Sequence, residues 1–321
     1  MNFTVCSTPN KALFEHRVLP SLYIFVFIVG LLANGWGLKS LLYNWKKLGN
    51  INIFVLNLGL ADILYLLTLP LLMVYYFKGS KWIFGDVLCK VTRFCFNLNL
   101  YCSIGFLTCI SVYRYLSIVY PLRVKGRLTT THSVVITVTV WMLVGVQSLP
   151  DMFFPKTSTN VSEQCFDTTT LSYIDRYLKY SVSWTFTGFC IPFVTTLGCY
   201  GHMAYVLCHT NTIDNILKQK CLKLFFISML LFSVCYTPYH VFKNLSLYSR
   251  VLRSRNMCTN WDNLVFSARQ ASRGLVSFNS ALNPLVYLHV NEDIGAQLRK
   301  LLQRTLRTSS SKSSTRSAAL R

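Results

Sequence analysis

Seven long apolar stretches divide this chain, at 18–43, 51–77, 87–119, 133–154, 177–207, 222–247 and 264–290. About 20 predominantly apolar residues suffice for a helix to cross a bilayer. In hydrocarbon every backbone N–H and C=O must find its partner inside the segment, so each run has to be helical. The pattern predicts an all-α membrane protein built as a seven-transmembrane helix bundle. The third, fifth and sixth runs are long enough to tilt or to extend beyond the membrane. The first 17 residues are polar and mixed, so the first run reads as a signal anchor and not as a cleaved signal.

Only 13% of the 321 residues are charged, yet the net charge is +21. In a soluble protein that excess would indicate nucleic acid. Here the cations flank membrane helices, so no nucleic-acid partner is expected. Segment 291–307 sets Ile294, Leu298, Leu301, Leu302 and Leu306 against Arg299, Lys300, Arg304 and Arg307. It reads as a short amphipathic eighth helix lying on membrane lipids. Segment 308–321 is Ser-rich and basic and reads as a disordered tail. The expected organisation is an N-terminal segment 1–17, a seven-helix domain 18–290, the amphipathic helix 291–307 and the tail 308–321. Loop charge orients the bundle weakly, because Lys78, Lys81, Lys90, Arg250, Arg253 and Arg255 lie opposite the tail. Asn2 and Asn160 open glycosylation acceptors on that same side, which places the N-terminus outside the cell. The loop from 155 to 175 is polar and β-prone, and a small hairpin is expected there.

Of twelve cysteines, eight fall within apolar runs and read as small buried hydrophobes. Cys6, Cys89, Cys165 and Cys258 remain in outer segments. An even number in an oxidising compartment implies two disulfides, in any of three pairings.

Two runs carry cations near their outer ends: Tyr236-Thr237-Pro238-Tyr239-His240-Val241-Phe242-Lys243 and Arg269-Gln270-Ala271-Ser272-Arg273. A cation within a spanning helix costs about 2.5–3.5 kcal/mol on insertion scales, so it marks a function and faces the interior. His240 and Lys243 are three apart, as are Gln270 and Arg273, so each pair shares a helix face. Two such faces turned together form a basic cup suited to a phosphate- or carboxylate-bearing small molecule. Deeper in the runs lie Asn34, Asp62 and Asn283. Asp62 must pair or hold a cation, and a sodium ion beside it is the one inorganic partner expected. No other metal and no cofactor is indicated. No nucleophile–base set or metal cluster stands out, so the chain does not read as an enzyme. A transporter is a lesser alternative, since paired halves and broken helices are not evident. A receptor for a dicarboxylate or an anionic lipid mediator is the stronger one.

A further set of residues carries a resemblance. It comprises Leu58-Gly59-Leu60-Ala61-Asp62, Arg114 closing the third run, Trp141, Pro192, Pro238 and Asn283-Pro284-Leu285-Val286-Tyr287. In this set the chain resembles rhodopsin-like G-protein-coupled receptors from about residue 18 to 305. The resemblance implies a disulfide from Cys89 to Cys165 and assigns a signalling role to Asp62, Arg114, Tyr236, Pro238, Asn283, Pro284 and Tyr287. It also implies a heterotrimeric G protein as partner, with arrestin and receptor kinases. Three departures stand out: Tyr113 where an acidic residue is usual, Tyr236 where tryptophan is usual, and Ala33 where glycine is usual.

A narrower likeness lies in Lys81-Trp82-Ile83-Phe84-Gly85-Asp86, Asn99-Leu100-Tyr101, Cys165-Phe166-Asp167-Thr168-Thr169, His240-Val241-Phe242-Lys243 and Gln270-Ala271-Ser272-Arg273. These are similar to the metabotropic nucleotide receptors, the metabotropic purinoceptors. That likeness implies an extracellular nucleotide as ligand, and Gln270 points to ADP or ATP. It implies coupling to the phospholipase C and calcium class of G protein, and a second disulfide between Cys6 and Cys258. Carried over by position, the ligand site is Arg93, Phe96, Tyr101, Asp167, His240, Lys243, Gln270 and Arg273. Arg269 joins them, standing where many members have an aromatic residue, and Asn97 replaces a frequent histidine.

Overall fold

The computed structural model describes residues 18–43, 50–121, 129–157, 164–209, 215–257 and 260–284. Asn2, Cys6, Asn160, Cys258, Tyr287, the 291–307 helix and the 308–321 tail lie outside the described residues. Among the described residues seven long helices follow one another: α1 (Leu19–Tyr43), α2 (Ile51–Phe77), α3 (Gly85–Val119), α4 (Thr130–Phe153), α5 (Leu171–His209), α6 (Phe225–Ser254) and α7 (Asp262–Leu282). The first six are long and apolar enough to cross a membrane. α7 is less apolar because it carries Arg269, Gln270, Ser272, Arg273, Ser277, Asn279 and Ser280, all of them buried. Its polar face is turned into the bundle, where these groups have protein partners in place of water. The apolar runs understated α5 and α6, which extend through polar turns at 171–176 and 248–254.

α3 runs through the middle of the bundle and packs against α2, α4 and α5, while α7 closes the ring against α1 and α6. Two-thirds of the apolar window of α3 is buried, against 22% in α4, which leaves most of α4 to face lipid. A Cβ on Gly274 would come within 2.6 Å of Leu22, so the bare backbone there lets α1 and α7 approach. Proline shapes three helices. α2 loosens at Leu67 and Thr68 ahead of Pro70, and the Thr68 hydroxyl takes the Tyr65 carbonyl at 2.7 Å. α5 and α6 each widen into a π-helical turn, Phe186–Cys190 before Pro192 and Leu231–Tyr236 before Pro238. Proline has no N–H and its ring crowds the carbonyl four residues back, which the wider turn relieves.

The Cys89–Cys165 bond is formed and ties α3 to the segment after α4. The expected hairpin reduces, among the described residues, to one antiparallel bridge between Thr157 and Cys165, with Phe166 N–H donating to Lys156 O. Cys102 and Cys235 are buried as expected, whereas Cys208 is exposed near the end of α5, where the chain leaves the bundle.

Candidate functional site

The segment from Cys165 to Thr169 lies across the disulfide end of the bundle, held by cations from several directions. Arg93 on α3 donates to the Cys165 carbonyl at 2.8 Å. Arg250 on α6 binds the Thr168 hydroxyl at 2.6 Å and the Thr169 carbonyl at 2.7 Å. Lys156 binds the Thr168 carbonyl. On α7, Arg269 reaches Asp167 Oδ2 at 2.5 Å, and Arg273 stands 3.5 Å from the same oxygen. Burial alone would push the Asp167 carboxyl up, but Arg269, Arg273, Arg93 and Arg250 outweigh it and hold the group well below the usual carboxylate range.

These cations do not balance. Arg93, Lys156, Lys243, Arg269 and Arg273 are buried and Arg250 is half-buried. Against these six stand two carboxylates in direct ion pairs with them, Asp151 with Lys156 and Asp167 with Arg269 and Arg273. Lys243 has no ion pair within 4.0 Å among the described residues, and its ammonium lies over the Tyr239 ring at 5.6 Å. Arg273 sits 6.0 Å above the Phe96 ring, and its Nη2 finds no hydrogen-bond partner among the described residues. Gln270 is buried one turn above Arg273.

Beneath the cations lies an aromatic cluster. Phe96 meets Tyr65 and Tyr239 edge-on at 5.6 and 5.7 Å. Tyr101 packs on Trp184 at 4.0 Å and on His240 at 5.7 Å, and His240 stacks on Phe189 at 4.4 Å. The Tyr101 hydroxyl, Trp184 Nε1 and His240 Nε2 are buried with no hydrogen-bond partner among the described residues. The Thr185 hydroxyl gives its one proton to the Ser181 carbonyl and lies 3.4 Å from His240 Nδ1. It can only accept there, so the network assigns the imidazole proton to Nδ1 and leaves Nε2 as a bare acceptor.

The polar residues farther down form one connected core. Asp62 accepts from Asn99 at 2.8 Å and from Asn283 at 3.0 Å. Ser280 bonds Asn99, and Asn34 bonds the Ser280 carbonyl. Asn279 donates to the Tyr236 hydroxyl at 2.6 Å, and Tyr65 meets Ser277 at 2.7 Å. Pro238 follows the π-helical turn of α6, and Pro284 lies just beyond the end of α7. Arg114 lies at the opposite end of α3, half-buried, with Nε unbonded among the described residues. Tyr113 packs edge-on against Phe54 at 6.3 Å, where it makes no ion pair with Arg114.

The structure thus gathers Arg93, Phe96, Tyr101, Asp167, His240, Lys243, Arg269, Gln270 and Arg273 around one end of the bundle. Sequence reasoning missed Asp151, Lys156 and Trp184 and counted Arg250 only among the outer cations that weaken the loop-charge signal. Asp151 inside an apolar run was legible by the cost argument that singled out Asp62.

The family model for the 7 transmembrane receptor (rhodopsin family) matches residues 34–287. Purinoceptor 1 of Gallus gallus is 40% identical over 313 residues, covering 97% of this chain and 85% of the relative. Purinoceptor 1 of Homo sapiens is 39% identical over 307 residues, covering 95% and 81%. Purinoceptor 4 of Xenopus laevis is 34% identical over 304 residues, covering 93% and 55%. A family model spanning most of the chain and relatives at this identity agree with the seven-helix architecture, with a multi-pass protein of the plasma membrane and with a receptor in place of an enzyme or transporter. The chain belongs to the rhodopsin family of seven-transmembrane receptors and, within it, to the metabotropic purinoceptors.

Proposed function

We propose that the chain is a receptor for an extracellular nucleotide, ADP or ATP, and signals through a heterotrimeric G protein of the phospholipase C class. The observation that carries this reading is the surplus of buried cations at the disulfide end. A buried charge without a partner costs several kcal/mol, so a site with six cations and two carboxylates is built for an anion that arrives from outside. Arg273, Arg93 and Lys243 offer forked and point-charge donors to phosphate oxygens. Trp184 Nε1 offers a donor, and His240 Nε2 an acceptor, to a base. Adenine presents both complements, ring-nitrogen acceptors and an exocyclic amine.

The N-terminus and the disulfide end face outward in this reading. An anion that draws α6 and α7 together shifts a two-state bundle by its differential affinity for the two forms. Pro238 and its π-helical turn give α6 a place to bend. Arg114 meets the G protein, arrestin and receptor kinases act at the 308–321 tail, and a sodium ion sits beside Asp62. Calcium responses of cells expressing the chain, measured against ADP, ATP, UTP, UDP and succinate with untransfected controls, test the reading. A response to succinate alone would replace the nucleotide with a dicarboxylate.

A further inference from the structure

Asp151 and Lys156 form an ion pair that is almost wholly removed from solvent, at 1% and 0% exposure of their side chains. Asp151 closes the last turn of α4 just after Pro150, and Lys156 follows Pro155. The pair joins four parts of the molecule. Asp151 Oδ1 accepts from Lys156 Nζ at 2.7 Å and from the Tyr177 hydroxyl of α5 at 2.7 Å. Asp151 Oδ2 accepts from Asn97 of α3 at 3.0 Å. Lys156 Nζ also donates to the Thr168 carbonyl and lies 5.0 Å from the Tyr177 ring centroid.

A buried ion pair is weak evidence of added stability, since apolar residues of similar volume serve a fold as well or better. What a lysine provides here, and an apolar side chain does not, is a directed donor to the carbonyl one residue beyond Asp167. Arg250 grips the Thr168 hydroxyl from the α6 side. Phe166 N–H bonds Lys156 O, and the Thr169 hydroxyl bonds Pro155 O. Asp167 is therefore flanked by fixed backbone on both sides, and its carboxylate is delivered to Arg269 and Arg273.

We infer that Lys156, aimed by Asp151, is a positioning residue: it touches no ligand, but it sets the 165–169 segment and through Asp167 the geometry of the cation cup. Asn97 and Tyr177 hold Asp151 for that task. The effect on ligand potency rests on the nucleotide reading above; the effect on the segment does not.

The test uses the full-length receptor with Lys156→Met, Lys156→Arg and the neutral pair Asp151→Asn/Lys156→Met. Hydrogen–deuterium exchange of 164–170 is measured on purified receptor, and ADP potency on cells with matched surface display. Lys156→Met is expected to raise exchange in that segment and to lower potency about tenfold, the scale of one lost charge-assisted bond. Lys156→Arg restores part of both. In an Asp167→Asn background the potency loss from Lys156→Met falls to about twofold or less, because residues that act through one another are non-additive. A purely structural role predicts full additivity in that background, which would overturn the inference. So would unchanged exchange in a displayed Lys156→Met receptor. Loss of display for Lys156→Met and for the neutral pair alike would make the two residues a folding requirement only. If the wild-type chain answers no nucleotide, the nucleotide reading falls and the exchange result alone decides the inference.

Discussion

Arg269 and Asp167 form the tightest contact across the mouth of the cup: Nη2 stands 2.5 Å from Oδ2, while Arg273 is 3.5 Å from that oxygen. Arg269 also holds the Ser246 hydroxyl of α6 at 3.1 Å, so one guanidinium joins α6, α7 and the loop. With Arg269 satisfying Asp167, Arg273 keeps Nη2 unengaged among the described residues.

The two arginines are expected to differ on substitution. Charge-assisted hydrogen bonds contribute about 1.5–3 kcal/mol, or roughly 10- to 150-fold in affinity. Arg273→Ala lowers nucleotide potency by at least that range, and Arg273→Lys recovers it only in part, because a fork becomes a point charge. Arg269→Ala lowers potency about tenfold by letting Asp167 take over Arg273. Concentration–response curves at matched surface display check both; an Arg273→Ala receptor of normal display and potency would remove the anion site from this place.

Base choice is expected to follow His240. Replacing the exocyclic amine of adenine by an oxygen sets an acceptor against the His240 Nε2 lone pair. IDP should therefore be weaker than ADP by about tenfold, the cost of one buried unsatisfied group. His240→Ala should bring the two ligands to within about threefold, and Trp184→Phe should weaken both alike. Equal potency of ADP and IDP at the wild-type receptor contradicts the assigned tautomer role.

The Asp167 carboxyl is held well below its unfolded value, so its contribution to stability is full above the unfolded pKa of about 4 and is lost only as pH falls through the folded one. Between pH 5.5 and 8 the Asp167 pairs with Arg269 and Arg273 stay intact. Asp167 therefore contributes no change in nucleotide binding over that window, whereas the ligand's terminal phosphate, whose second pKa is about 6, does. Binding should strengthen as pH rises to 7.5, and Asp167→Asn should leave the shape of that profile unchanged. A profile flattened by Asp167→Asn would assign the titration to Asp167.

Non-reducing peptide mapping should recover Cys89 joined to Cys165 and Cys6 joined to Cys258. Opening the first bond should abolish nucleotide binding, because the Asp167 segment is anchored there; opening the second should weaken it less. A peptide joining Cys6 to Cys89 would refute the pairing.

Arg114→Ala should spare nucleotide binding and remove the G-protein response, since Arg114 lies at the far end of α3 from the cup. Radioligand binding beside a calcium assay separates the two functions. Unchanged signalling efficacy would move that role elsewhere.

Helix number and order were legible because bilayer thickness imposes a length that the apolar runs display directly. The cup was legible in outline because a cation in hydrocarbon stands out: Lys243, Arg269 and Arg273 announced themselves. Their division of labour was not, since the sequence does not say which arginine takes Asp167. The Asp151–Lys156 pair was not legible because the two are five apart across the end of α4 at Phe154, outside any helical spacing rule. Trp184 looked like one more apolar residue until its indole nitrogen was seen to lack a partner. Arg250 counted only as one more outer cation, yet its partners are Thr168 and Thr169, 82 and 81 positions away.

The surplus of buried cations has a thermodynamic corollary. A native state that concentrates like charge is strained until a counter-ion enters, so folding and occupancy are linked equilibria. An anion that binds only the folded receptor raises its stability by about 2.7 kcal/mol at a hundredfold excess over its dissociation constant. The melting temperature of the purified receptor therefore reports on the cup directly. It should climb with nucleotide, climb less with sulfate or inorganic phosphate, and stop responding once Arg273 and Lys243 are replaced by neutral residues.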